Sequence, residues 1–166
     1  AAIVVISRIP ATLQLTVTAL LISYFVGVIF GTLSAMRRGF MSERIFTATY
    51  VFLYSIPTYW LGAMLMLIFG FYFRILPISG YGTLAHLVLP VMTLALPNIA
   101  IFARMMRTEV LETLYEDYVR TAMAKGLPRS AVLLRHVIRN ALIPVTVLSF
   151  LELPWTIGGA VVVEAI

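Results

Sequence analysis

The chain has 166 residues, of which 61% are hydrophobic and 11% are charged, with a formal net charge of +5. Soluble domains carry about 25% charged residues, so this composition excludes an ordinary soluble domain and predicts an all-α, polytopic membrane protein. The sequence contains no cysteine, which excludes a disulfide framework, a thiol nucleophile and a cysteine metal site. The cations stand at the ends of apolar segments, a pattern of membrane topology and not of nucleic-acid binding.

Four apolar segments are long enough to cross a bilayer, which takes about 20 residues. We expect these spans at about 13–36, 45–73, 84–103 and 141–163. In the first span, Gly27 and Gly31 are spaced to let a neighbouring helix approach closely. In the second, Pro57 predicts a kink, because proline removes a backbone hydrogen bond.

The distribution of arginine and lysine predicts the orientation. The connectors at 37–44 and 104–140 carry most of the cations, whereas the connector between the second and third spans carries only Arg74. Cytoplasmic loops are enriched in Arg and Lys. The first and third connectors are therefore predicted to be cytoplasmic, and Arg8 and Arg74 to face outward.

The third connector contains the longest polar interval of the chain, and we predict two short helices in it, over about 107–140. An amphipathic helix is expected from Arg107, with Glu116 and Arg120 paired at i,i+4. Gly126 can end this helix in a left-handed conformation, and Pro128 suits the first turn of the next. Three residues are predicted to form the apolar face of the second helix: Ala131, Leu134 and Ile138.

Such a corner between two capped helices indicates a docking element for a soluble partner. The alternative is a pair of interfacial helices that rest on lipid headgroups. That alternative accounts for the arginines of the connector, but it does not account for the glycine at the corner.

Polar or helix-breaking residues inside the spans are candidates for lining a translocation path. A carboxylate at the centre of a spanning helix costs on the order of 2.5–3.5 kcal/mol, so Glu152 is expected to face a cavity or a partner, or to be protonated; functional and packing roles remain equally open. For Pro57 the alternative is a kink that serves packing alone. The candidate path residues are Pro57, Tyr59, Asn98, Glu152 and Trp155.

No catalytic site is expected. The chain has no Gly-x-x-x-x-Gly-Lys-Ser/Thr loop for nucleotide phosphates, and its single lysine, Lys125, precedes Gly126 in the wrong order. It has only one aspartate, Asp117, and a lone His86 without a second ligand. We therefore expect no metal site and no cofactor in this chain.

The stretch Asp117-Tyr-Val-Arg-Thr-Ala-Met-Ala-Lys-Gly126, followed by Leu133-Leu-Arg-His-Val-Ile-Arg-Asn-Ala-Leu-Ile-Pro144, resembles a known motif. It is similar to the cytoplasmic loop, named after Glu-Ala-Ala, of the membrane subunits of binding-protein-dependent ABC importers. Within them it looks like the B-type permease of dipeptide, oligopeptide and nickel importers. The resemblance covers nearly the whole chain and extends to Arg8-Ile-Pro-Ala-Thr-Leu13, Ser55-Ile-Pro-Thr-Tyr-Trp60 and Gly158-Gly-Ala-Val-Val-Val-Glu164.

The resemblance implies a type I importer-like fold in which this loop inserts a coupling helix into an ATP-binding subunit. Arg120, Thr121 and Ala122 would occupy the Glu-Ala-Ala positions, so an arginine replaces the glutamate. Arg139 stands where many members have proline, and Glu152 where a neutral amide is expected. The implied coupling residues are Asp117, Tyr118, Arg120, Thr121, Ala122, Lys125, Gly126, Arg135 and His136.

The resemblance also implies partners and a location. ATP and Mg²⁺ would bind to a separate ATPase chain, and a second related permease and an extracytoplasmic substrate-binding protein would complete an importer in the inner membrane. Family members carry a further helix on either side of this region, so we expect the 166 residues to be part of a longer protein. Peptide is favoured over nickel by the breadth of the family. The alternatives are a channel, or a membrane scaffold with an interfacial docking loop.

Overall fold

The structure, a computed structural model, describes residues 2–37, 41–78, 80 and 83–164, without the side chains of residues 2–8, 42, 43 and 164. Every regular element in these ranges is helical, which confirms the predicted all-α class. The predictions for residues 38–40 and for the Arg8 side chain lie outside the described residues. The α-helices are α1 (Ala2–Met36), α2 (Met41–Ser55), α3 (Thr58–Leu65), α4 (Leu84–Thr113), α5 (Asp117–Ala124), α6 (Arg129–Val132) and α7 (Arg139–Glu164).

Two stretches of π-helix extend these elements. Met66–Tyr72 continues α3, and Leu133–Ile138 joins α6 to α7 without a break. In the first, the wider hydrogen-bonding pattern is visible at Phe73, whose N–H donates to the carbonyl of Ile68 over 2.9 Å. Such i→i+5 insertions shift the register of a helix and are found frequently at functional sites.

The packing of α1 against α4 forms the centre of the molecule and depends on the two predicted glycines. A Cβ atom on Gly27 would lie 2.6 Å from the Cβ of Phe102, and one on Gly31 would lie 2.5 Å from the carbonyl oxygen of Ala103. Only glycine permits this approach of the two backbones. Ser23 adds a polar tie between the helices, because its hydroxyl is 3.2 Å from the carbonyl oxygen of Ala95 on α4.

Hydroxyl and amide groups also join α7 to both of these helices. The Thr146 hydroxyl donates to the carbonyl of Leu142, so the Tyr24 hydroxyl on α1 donates to Thr146 Oγ1 over 2.8 Å. Hydrogen bonds between helices are a common means of association inside membranes. The three long helices α1, α4 and α7 therefore form one packed unit.

Three of the predicted spans are continuous helices, but their limits differ from the predicted ones. Apolar helices long enough to cross a membrane cover Ile9–Met36, Leu84–Thr113 and Arg129–Val163. The third and fourth predicted spans are thus longer than 84–103 and 141–163. The predicted spans ended where polar residues replace apolar ones. No helix-breaking residue stands at these points, so the helices continue into the polar sequence.

The second predicted span, 45–73, is not a single helix. Residues Arg44–Ser55 and Thr58–Tyr72 form two helices that meet at an angle of 101°, as in a broken span or a re-entrant loop. Pro57 lies at the break with an extended backbone (ψ 131°) and caps α3 through its carbonyl, which accepts the N–H of Leu61 over 3.0 Å. The predicted position of the bend is right, but its size exceeds a kink, because α3 turns to pack Leu61 and Leu65 against Leu89 of α4.

Candidate functional site

The corner between α5 and α6 is the first candidate site, and its geometry follows from one glycine. Gly126 has a φ of +80°, the left-handed conformation predicted for it. Its N–H donates to the carbonyl of Met123 over 3.0 Å, and the N–H of Leu127 reaches back to Ala122 over 3.4 Å. This pair of bonds is a Schellman motif, which satisfies the last carbonyls of α5 and turns the chain sharply. Pro128 follows and caps α6 instead of lying in its first turn.

The corner has one buried apolar side. The side chains of Val119 and Val137 are 0% exposed and that of Val132 is 1% exposed. They belong to a single hydrophobic cluster with Phe102 and Met106 of α4. Nearly complete burial against these helices means that the corner is part of the packed molecule.

The opposite side of the corner is polar and open. Arg120, Thr121, Lys125 and Gly126 are exposed, and nothing lies within 4 Å of the position of a Cβ on Gly126. Ala122, the remaining residue of the predicted Glu-Ala-Ala positions, is buried on the inner side. The exposed surface therefore carries positively charged side chains and an open backbone turn.

The ion pair at the start of α5 differs from the predicted one. Glu116 has an extended backbone (ψ 144°) and precedes the helix, so it does not form the predicted i,i+4 pair with Arg120. Arg120 Nη1 instead lies 4.0 Å from Asp117 Oδ1, and both side chains are exposed. Surface pairs of this kind contribute little to stability, which leaves both charges available for contacts outside the chain.

The predicted helix from Arg107 is interrupted before the corner. Helix α4 ends at Thr113, and the N–H groups of Tyr115 and Glu116 form tight turns to Glu112 and Thr113 over 3.0 and 3.2 Å. The change of direction lets Val110 before it and Val119 after it enter the same hydrophobic cluster. A straight amphipathic helix would have carried one of them away from the core.

The second short helix is also different from its prediction. It continues through the π-helical stretch into α7, and its buried residues are Val132 and Val137. Leu134, predicted on the apolar face with Ala131 and Ile138, is 63% exposed. The wider turn of the π-helical stretch rotates the buried face of this helix. The prediction assumed the regular α-helical period and therefore placed the buried face on other residues.

The remaining predicted coupling residues lie around the same corner. Arg135 is exposed and His136 is half-buried. The sequence analysis did not single out Asn140, whose Nδ2 donates to the carbonyl of His136 and to the Tyr118 hydroxyl, each over 2.8 Å. The amide thereby connects α5 to the first turn of α7. An Asn followed by an apolar segment was its only signal in the sequence.

The five candidate path residues do not form one group. Pro57, Tyr59 and Trp155 are exposed, with Trp155 80% exposed. Asn98 is only 7% exposed, and its Nδ2 donates to the carbonyl of Leu94 and to Thr156 Oγ1 on α7 over 3.0 and 3.2 Å. Asn98 therefore joins α4 to α7 and is buried between them.

Glu152 faces a cavity, as the cost of a carboxylate in a spanning helix predicted. The cavity has a volume of about 410 Å³ and opens between α2, α4 and α7. No pattern in the sequence pointed to the second charged residue of the cavity, Arg104, because 48 positions separate it from Glu152 along the chain. The lining residues are Tyr54, Ile101, Arg104, Met105, Thr108, Leu148 and Glu152.

Together these features define a polytopic α-helical membrane protein whose water-facing corner is packed into its spanning helices. Residues 27–166 match the family described as binding-protein-dependent transport system inner membrane component. The chain therefore belongs to this family, and the resemblance read from the corner sequence is confirmed.

Individual relatives agree with the family. The probable peptide ABC transporter permease protein y4tP of Sinorhizobium fredii is 36% identical, over 96% of this chain and 53% of its own length. The oligopeptide transport system permease protein AppB of Bacillus subtilis is 35% identical, over 98% and 54%. The glutathione transport system permease protein GsiC of Pectobacterium atrosepticum is 38% identical, over 96% and 52%. The chain thus spans about half the length of the curated relatives that it matches.

Proposed function

We propose that this chain is a membrane-spanning subunit of an ATP-driven importer, which forms part of the translocation path for peptides and couples it to ATP hydrolysis on a separate subunit. The family supports the transport role, since it is described as an inner membrane component. Peptide is the proposed substrate because the names of the relatives specify peptide, oligopeptide and glutathione transport.

The single observation that carries the coupling role is the hydrophobic cluster shared by the corner and the spans. Val119 of α5 and Val132 of α6 pack in it beside Met106 of α4 and Val145 of α7. Protein interiors are densely packed and transmit displacement instead of absorbing it. A force applied to the exposed side of the corner therefore reaches two spanning helices directly.

The exposed side suits a protein partner in water. Arg120 and Lys125 flank the Gly126 turn, and their charges are open to solvent. We infer that an ATP-binding subunit receives this surface in a cleft, and that a second related permease and an extracytoplasmic substrate-binding protein complete the importer. ATP and Mg²⁺ bind to the ATPase chain in this scheme, so this chain acts as a permease and not as an enzyme.

Cysteine cross-linking tests the docking role, because the chain has no natural cysteine. The position is Lys125, which is exposed and has a φ of −75°, whereas any side chain at Gly126 would be strained. The complete importer carrying Lys125→Cys is treated with a short maleimide–succinimidyl ester reagent, which joins the new thiol to a lysine amine of a neighbouring subunit, while ATP hydrolysis is followed. We expect a cross-link to an ATP-binding subunit and a change in hydrolysis.

The matched control is Ile75→Cys, an exposed position in the connector on the predicted outer side. It should give no cross-link to an ATP-binding subunit under the same conditions. A Lys125→Cys chain that reacts only with lipid-phase reagents, and links to no ATPase, would overturn the proposal. The channel or scaffold alternatives would then take its place.

A further inference from the structure

The cavity between α2, α4 and α7 contains two side chains of opposite charge. Arg104 and Glu152 both line it, and its volume of about 410 Å³ falls in the range of roughly 300–1,000 Å³ that small-molecule sites occupy. The rest of the lining is mainly apolar, with hydroxyls from Tyr54 and Thr108. A ligand site typically combines an apolar wall with a few polar groups that fix orientation.

The two charged groups do not neutralise each other. The guanidinium carbon of Arg104 lies 5.9 Å from the centre of the Tyr54 ring, an arrangement that attracts a cation to the ring face. Within the described residues no salt bridge joins Arg104 to Glu152, and the Glu152 carboxylate has no hydrogen-bond donor. An ionisable group in a spanning helix faces a cavity, a partner or a substrate path. Each charge is therefore free to receive a ligand group of the opposite sign.

We propose that this cavity binds the two unblocked ends of a short peptide, its carboxylate at Arg104 and its ammonium group at Glu152. The proposal rests on the proposed function and assigns residues within it. A simple anion would meet the repulsion of Glu152, and a simple cation that of Arg104. A zwitterion satisfies both groups, while Ile101, Met105 and Leu148 offer apolar surface to its side chains.

The position of the cavity fits the end of an inward path. Arg104 lies about 30 Å along α4 from Leu84, at 1.5 Å per residue, so it lies in the half of the span next to the corner. Arg104 is also the first residue of the connector that is predicted to be cytoplasmic. The cavity would thus hold a peptide on the side where it is released.

Direct binding of small peptides tests this assignment. The importer complex, with both permease chains and its ATPase subunits but without nucleotide or soluble binding protein, is dialysed against tritiated dialanine. N-acetyl-dialanine lacks the ammonium group, and dialanine amide lacks the carboxylate, so competition by these two compounds reports each end separately. We expect both to bind at least roughly tenfold more weakly than dialanine, since each leaves one charged group of the site unpaired.

Two variants assign the ends. Glu152→Gln should weaken dialanine roughly tenfold or more and leave N-acetyl-dialanine unchanged, because the missing ammonium group is the one that Glu152 receives. Arg104→Gln should weaken dialanine roughly tenfold or more and leave dialanine amide unchanged, because the missing carboxylate is the group that Arg104 receives. Arg104→Lys keeps the charge and should retain the binding of dialanine within a few-fold. The control is Glu112→Gln, which removes an exposed carboxylate from α4 outside the cavity. It should not change the binding of dialanine or of either blocked compound.

ATP hydrolysis and peptide uptake separate the two proposals when the same complexes are reconstituted into vesicles and supplied with ATP and the soluble binding protein. An importer that takes up peptides and hydrolyses ATP, but binds blocked and free dialanine equally or is unaffected by both variants, would contradict the cavity assignment alone. A preparation that assembles with ATPase subunits yet takes up no peptide in the wild-type form would contradict the proposed function, and the cavity assignment with it.

Discussion

The Tyr118 hydroxyl accepts a hydrogen bond from Asn140 Nδ2 over 2.8 Å and so ties α5 to the first turn of α7. The bond connects the exposed corner to a spanning helix outside the hydrophobic cluster. Because Asn140 also donates to the carbonyl of His136, the same amide holds the junction between the π-helical stretch and α7. The corner is therefore fixed to α7 by a polar contact as well as by apolar packing.

Removal of this hydroxyl should loosen the corner without unfolding the protein. Tyr118→Phe keeps the ring and deletes a partly exposed hydrogen bond, at a cost of about 0.5–1.5 kcal/mol. We expect faster amide hydrogen exchange in residues 117–126 and about a twofold lower yield of transport per ATP hydrolysed. Tyr72→Phe, at an exposed ring near the predicted outer connector, is the control; equal effects of the two substitutions would argue against a role for this bond.

Substitutions at Gly126 should follow the cost of a left-handed backbone and not the size of the side chain. The space around a Cβ at this position is open, and φ is +80°. The left-handed conformation costs roughly 1–2 kcal/mol for most residues and less for Asn. Assembly with the ATP-binding subunit, measured by co-purification, should decrease in the order Gly, Asn, Ala, Val. If Ala and Val match Gly, the turn is not required for docking.

The contact of α1 with α4 should be sensitive to a single methyl group. In Gly31→Ala the new Cβ would lie 2.5 Å from the carbonyl oxygen of Ala103, and overpacking of this kind costs typically 1–3 kcal/mol. We expect a lower midpoint of thermal unfolding in detergent. Gly158→Ala is the matched control in α7, where a Cβ meets nothing within 4 Å and Ala favours the helix. A midpoint unchanged by Gly31→Ala would show that the helices pack less closely.

Truncations in the helix that begins at Arg129 distinguish the observed face from the predicted one. Val137→Ala removes buried apolar groups and should destabilise the protein by roughly 1–3 kcal/mol. Leu134→Ala removes a larger group from a side chain that is 63% exposed in the isolated chain, and its effect on unfolding of this chain in detergent should be within about 0.5 kcal/mol. A larger loss of stability from Leu134→Ala than from Val137→Ala would show that the predicted apolar face, and not the observed one, is buried.

Local signals in the sequence were enough for several features. The corner could be predicted from Gly126, which readily adopts a left-handed backbone, and from Pro128 just after it. The close approach of a helix could be predicted from the spacing of Gly27 and Gly31 within one helix. The position of the bend at Pro57 is local for the same reason. Each of these predictions depends on residues a few positions apart, where the geometry of the chain itself restricts the outcome.

Features that depend on tertiary packing could not be predicted from local sequence signals. The angle of 101° at Pro57 depends on the contacts of α3 with α4. The rotation of the face to Val137 depends on a π-helical register. Asn98 was predicted from its polarity alone, whereas its partner Thr156 lies on a different helix. That Arg104 and Glu152 line the same cavity is likewise evident only when α4 and α7 are placed side by side.

The unbroken run of helix from Arg129 to Val163 has a mechanical consequence. At 1.5 Å per residue its 35 residues extend for about 50 Å, so it acts as a long lever arm that pivots at the corner. A tilt of about 5° around the corner would move the far end by on the order of 4 Å. The end that travels furthest carries Trp155 and Gly158, which lie far from the corner along α7.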